Sequence, residues 1–302
     1  MESKKSYPLQ EITEKDSLAK TVGKCYDEAY FDLWEGFLEG RVFMFTEVMI
    51  SVPNFIMLMV ACFFAGFLDS IAGGGGLISL PAYTLTGMPM HLVYGCNKFS
   101  AAFGTTAATL RYWKHKMLDI QVGILSAIGA FIASAVAAKV VLYLSDNTLK
   151  TMMLVVLPIV GVVTVVNKNM GGENLSDSFS KKKKIILALL IGGFIGFYDG
   201  LVGPGTGTFA LMAFCLIMKY DMRSASGNAK CLNLASNYAA LVVFLIEGTV
   251  YLPIAIPAAI FGVAGNFIGA GVAIKKGTKA IRMMLMVVIV LLFLKMAADV
   301  LL

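Results

Sequence analysis

Along the chain, apolar runs alternate with short polar and basic stretches. The longer runs fall at roughly 44–66, 93–110, 119–143, 148–167, 184–202, 226–246, 252–274 and 280–302. Each approaches the roughly 20 residues that an α-helix needs to cross the hydrocarbon core of a bilayer. Two shorter runs, near 77–88 and 206–219, follow glycine clusters and have the length of half-helices. No segment sustains the period-2 alternation of a transmembrane β-strand. The pattern therefore predicts an all-α polytopic membrane protein, multi-pass and expected in the cell membrane.

Composition agrees. Of the 302 residues, 58% are hydrophobic and 15% charged, against roughly 25% charged in an average soluble domain. The net charge of +6 does not point to nucleic acid, because the lysines sit in short loops between spans rather than on a basic stripe among exposed aromatics. Cys25, Cys62, Cys96, Cys215 and Cys231 form no CxxC pair and read as small apolar residues. His91 and His115 lie in or beside loops and are not expected to bind metal. No nucleotide-binding GxxxxGK[ST] loop is present, and no cofactor is expected.

The chain also repeats itself. FAGFLDSIAGGG at 64–75 aligns with FIGFYDGLVGPG at 194–205, setting Gly66 against Gly196, 130 positions on, and Asp69 against Asp199. The match resumes at Gly95 and Lys98 against Gly227 and Lys230, then at Met152–Leu154 against Met283–Leu285. This divides the chain into a polar tail (1–43), a first membrane repeat (44–167), a basic linker (168–183) and a second repeat (184–302).

Charge gives an orientation. Basic clusters at Arg111, Lys114 and Lys116, at Lys168 and Lys181 to Lys184, at Lys219 and Arg223, and at Lys275, Lys276, Lys279 and Arg282 are placed in the cytoplasm by the positive-inside rule. The turns near Asp146 to Lys150 and Glu247 to Tyr251 then face outward. On this reading segment 93–110 runs inward while its partner 226–246 runs outward, so the repeats are inverted. Each opens with a glycine-interrupted helical hairpin, over 44–88 and 184–219. Both termini fall outside, which suits the ten acidic against six basic residues of the first 47. No cleavable signal peptide is visible. Tyr26 to Phe45 has the mixed aromatic and acidic character of an interfacial helix.

The repeated segments carry the chemistry. Glycine breaks inside a bilayer leave backbone N–H groups that lipid cannot satisfy, so they persist only when packed in protein or lining a polar cavity. Gly73, Gly74, Gly75 and Gly76 form one break, and Gly203, Gly205, Thr206 and Gly207 belong to the other. Each leads into an apolar segment whose helix N-terminus offers free N–H groups and a positive dipole end, a site for an anion. Lys98 and Lys230 lie inside small-residue helices where a charge is costly and by default functional. The alternative is that each lysine reaches the interface or pairs with Asp69 or Asp199. Asn97, Asn228, Asn233 and Asn237 accompany the lysines and would offer amide donors to substrate oxygens. Asp69 and Asp199 are candidates either for proton coupling or for capping the helix breaks.

The motifs GFLDSIAGGGGLISLPAY, GxNKFxxxFGTxAATLRY, GFYDGLVGPGTGTF and GNAKxLNLASN resemble those of the TauE/SafE family of sulfite exporters, over nearly all of the chain from about residue 50. The resemblance implies a secondary transporter, not an enzyme, that moves sulfite or a small organosulfonate outward by alternating access. Import of a related anion is the alternative within transport. An intramembrane aspartyl protease is the alternative outside it, disfavoured because neither aspartate stands in a GxGD context and each has a lysine companion. The expected partners are a small anion and the lipid bilayer, with a second copy of the chain as a candidate and no nucleic acid.

Overall fold

A computed structural model describes residues 43–45, 48–166 and 172–301, with side chains over 50–156 and 172–277. The chain divides into one unit ending at Val52 and a second from Pro53 onward. In the first unit, β1 (Phe43–Phe45) pairs antiparallel with β2 (Val48–Ile50), Met44 opposite Met49. Most of the polar tail lies outside the described residues. Of the stretch Tyr26 to Phe45, only the last three residues are described, and they form a strand.

The second unit is helical. Its elements are α1 (Val52–Ala72), α2 (Gly76–Thr84), α3 (Met90–Lys114), α4 (Ile120–Leu142), α5 (Asp146–Val166), α6 (Lys181–Leu201), α7 (Thr206–Leu216), α8 (Met222–Ile246) and α9 (Leu252–Leu301). Gly277, at φ 57° and ψ −145°, breaks α9 into two helical stretches. Among the described residues, five segments are long and apolar enough to cross a membrane: α1, α4, α6, α8 and the part of α9 from Leu252 to Gly277. The chain is a multi-pass membrane protein.

The first span differs from the expected 44–66: the helix starts at Val52 and runs on to Ala72. Hydropathy cannot separate the apolar strands from the helix that follows. The real boundary is the proline at position 53, tolerated in a first helical turn, and the real stop is the glycine run. At 9 and 11 residues, α2 and α7 rise about 14 and 17 Å and cannot cross a bilayer alone.

Capping sorts the helix starts. Asp119 accepts from Val122 N at 3.2 Å at the start of α4, Ser180 from Lys183 N at α6, and Asp221 from Arg223 N and Ser224 N at α8. By contrast α2 and α7 are capped by Gly75 and Gly205 with no side-chain cap. Their orphan first-turn donors must find partners elsewhere.

Small residues let the helices meet backbone to backbone. A Cβ on Gly192, Gly196 or Gly200 of α6 would lie within 2.4 Å of Ser126, Ala130 or Ser134 of α4. In α9 and α1 the arrangement recurs, with a Cβ on Gly265 2.0 Å from Phe63 O and one on Gly66 2.4 Å from Gly262 O. Gly66 meets Gly262 as its repeat partner Gly196 meets Ala130. The lysine-bearing helices α3 and α8 pack against each other.

Candidate functional site

The two glycine breaks touch. Gly73 and Gly203 both take positive φ, +79° and +92°, as does Gly205 at +79°. A Cβ on Gly73 would fall 2.1 Å from the carbonyl carbon of Gly207, and one on Gly207 2.5 Å from Gly73 Cα, so any side chain at either position would separate the loops. Thr208 Oγ1 donates to Ala72 O at 2.9 Å and ties one half to the other. The N–H groups of Gly75, Gly76, Gly207 and Thr208 donate to no acceptor among the described residues.

Each buried lysine pairs with the aspartate of the other half. Lys98 Nζ lies 2.7 Å from Asp199 Oδ2, with the two side chains 3% and 4% exposed. Lys230 Nζ lies 2.7 Å from Asp69 Oδ2, at 3% and 14%. Asp199 also accepts from Thr206 Oγ1 at 2.8 Å and Ser236 Oγ at 2.6 Å. Lys98 donates in addition to Asn237 Oδ1 at 3.1 Å. An ammonium has three donors, so one remains for a ligand. Among the described residues no hydrogen bond joins Asp69 to Asp199 and no backbone N–H donates to either carboxylate.

Beside these pairs lies a cavity of about 50 Å³, far below the roughly 300–1,000 Å³ that drug-sized ligands occupy. It has room for a few heavy atoms. Of the residues singled out in the sequence, Asp69, Gly73, Gly75, Gly76, Asn97, Lys98, Asp199, Gly203, Thr206, Gly207, Asn233 and Asn237 line it. Gly74, Gly205, Asn228 and Lys230 do not. Gly205 instead provides the left-handed cap of α7. Asn228 is fully buried at the loop before α4, where its Oδ1 accepts from Asp119 N at 3.0 Å.

Ser79, Ser100 and Asn266 also line the cavity, although the sequence alone does not single them out. Ser79 Oγ donates to Asn97 Oδ1 at 2.6 Å, and Ser100 lies one helical turn beyond Asn97. Each is a polar residue in small-residue or apolar sequence, the same signal that identifies the lysines. Among the described residues, no group of three or more His, Cys, Asp or Glu is placed to hold a metal ion.

Residues 58–296 match the family described as sulfite exporter TauE/SafE. The chain is 33% identical over 246 residues to a probable membrane transporter protein, ORF9, of Sinorhizobium sp., covering 80% of this chain and 92% of that one. It is 29% identical over 260 residues to the probable membrane transporter protein YfcA of Escherichia coli K12, covering 86% and 94%. A probable membrane transporter protein of Haemophilus influenzae is likewise 29% identical, over 83% of this chain and 97% of its own. No solved structure matches the chain significantly. Spanning helices around a small polar cavity, with relatives named as transporters along nearly their whole length, make this protein a membrane transporter, and the chain belongs to the sulfite exporter TauE/SafE family.

Proposed function

We propose that the protein is a secondary transporter that carries a small sulfur oxyanion, sulfite or a close organosulfonate, outward through the cavity between its glycine breaks. The observation that carries this reading is the cavity itself. At about 50 Å³ it admits only a small solute, and Lys98 and the uncapped starts of α2 and α7 surround it with donors. Formal charge alone does not attract the anion, because Lys98 with Asp199 and Lys230 with Asp69 sum to zero. The pull comes from the remaining Lys98 donor and the free loop N–H groups. Outward direction follows the family's description.

Alternating access would have the two inverted halves rock about this site, and the contacts repeated between Gly66 and Gly262 and between Gly196 and Ala130 support such a pseudo-symmetry. Asp69 and Asp199, both on the cavity wall, are the candidate proton-coupling groups. The direct test is thermal stabilisation of purified protein by sulfite, thiosulfate, sulfate, sulfoacetate and taurine, since a ligand that binds the folded state raises its stability by mass action. Sulfite or a sulfonate should shift the transition. A flat response to the whole panel would refute the reading.

A further inference from the structure

Asn266 belongs to α9, is 3% exposed and lies on the cavity wall. Three helices place its amide. Nδ2 donates to Gly262 O at 3.0 Å, one turn back. Gly66 of α1 and Gly104 of α3 leave it room, since a Cβ on either would come within 2.7 or 2.4 Å of Nδ2. Turning the amide over would set its oxygen against the Gly262 carbonyl, two acceptors with no proton between them. The orientation is therefore fixed, and it leaves Oδ1 buried without a partner among the described residues.

The other cavity amides differ. Asn97 Oδ1 accepts from Ser79, Asn237 Oδ1 from Lys98, and Asn233 Oδ1 from Asn237 Nδ2 at 3.4 Å. At the position related to Asn266 by the repeat stands Ser134, whose hydroxyl is committed to Ser236 O at 2.8 Å. An unpaired buried acceptor is a standing cost, and beside a substrate cavity the substrate can relieve it.

We propose that Asn266 selects an oxyanion that carries its own hydrogen-bond donor, the monoprotonated form of a small oxyacid. The inference rests on the anion reading above and narrows it, favouring hydrogensulfite over an organosulfonate, whose anion carries no O–H. A fully deprotonated oxyanion brings only acceptors; it suits Lys98 and the loop N–H groups but opposes Asn266 Oδ1. An anion with one O–H satisfies both sets. A site built to bond a substrate hydroxyl rejects the analogue without one, because its own polar group is then left unpaired.

The test compares methylphosphonate and methanesulfonate by titration calorimetry on purified protein, at a mildly acidic pH where both are monoanions. They share shape and charge and differ by one O–H. The wild-type protein should bind methylphosphonate roughly tenfold or more tightly than methanesulfonate. Asn266→Ala and Asn266→Leu should bring that ratio toward one, by weakening methylphosphonate binding and relieving the opposition of Oδ1 to methanesulfonate. A ratio of affinities on one sample does not depend on how much of it has folded, and the alanine variant stands in if leucine crowds Gly66 and Gly104. Equal wild-type affinities, or a preference surviving both substitutions, would overturn the proposal and leave the anion reading intact. Failure of the wild-type protein to bind either compound, or any member of the sulfur oxyanion panel, would overturn both.

Discussion

The two halves share a backbone plan and a buried charge pair but meet the cavity with different side chains. Around Lys98 the neighbours are polar: Asn97 and Ser100 on its own helix, Ser79 on α2 and Asn266 on α9 all reach the cavity. The repeat-related positions around Lys230 are Ala229, Leu232, Phe209 and Ser134, and neither they nor Lys230 line it. The difference teaches that two repeat-related lysines, each paired with an aspartate of the other half, can stand in unlike surroundings, Lys98 on the cavity wall and Lys230 off it. A buried pair such as Lys230 with Asp69 contributes little net stability but is costly to break on one side.

The comparison can be broken first at the level of topology, where the expected effect is all or none. If the halves are inverted, a single cysteine at Glu247 should react with an impermeant thiol reagent only from outside, and one at Lys276 only from inside. Both positions are exposed. Labelling of both from the same side would end the inverted account.

Next in size is the contact between the glycine breaks. Gly73→Ala needs both a left-handed φ and a separation of the loops, a cost of roughly 3–5 kcal/mol. Gly203→Ala meets nothing closer than 3.6 Å and bears only the conformational cost, roughly 1–2 kcal/mol. Equal midpoints in denaturant unfolding of the two variants would show that the loops do not depend on their mutual contact.

The lysines sharpen the comparison further. Lys98→Met should raise the dissociation constant for the transported anion by roughly one to three powers of ten, besides the stability it loses by stranding Asp199. Lys230→Met should act mainly on stability by stranding Asp69, and removing the Asp69 charge as well should restore it. Matching losses of affinity in both variants, with unchanged stability, would mean that the halves bind substrate equally.

Much of this site is legible in the sequence because charge and glycine inside apolar segments are rare and here occur twice. Asp69, Lys98, Asp199 and the breaks follow from that logic. Partner choice is not legible. Nothing in the spacing says that Lys98 meets Asp199 rather than Asp69, because that depends on how α3 and α8 pack. Helical arithmetic separates Asn228 from the useful face, since it precedes Lys230 by two residues and points away, whereas Asn233 and Asn237 follow at three and seven and share its side. In a run of four glycines the sequence cannot say which one turns left-handed. It is Gly73, while Gly75 is an ordinary right-handed cap that is kept small by Asp69 Cβ, 2.5 Å from where its own Cβ would be.

The most direct test of the central claim, that a small sulfur oxyanion moves through the cavity beside Lys98, is the flux of isotopically labelled sulfite across vesicles containing the purified protein. The account predicts saturable flux well above that of protein-free vesicles, abolished or strongly reduced by Lys98→Met in a variant that remains folded. Flux no greater than in empty vesicles, or undiminished by the loss of Lys98, would contradict it.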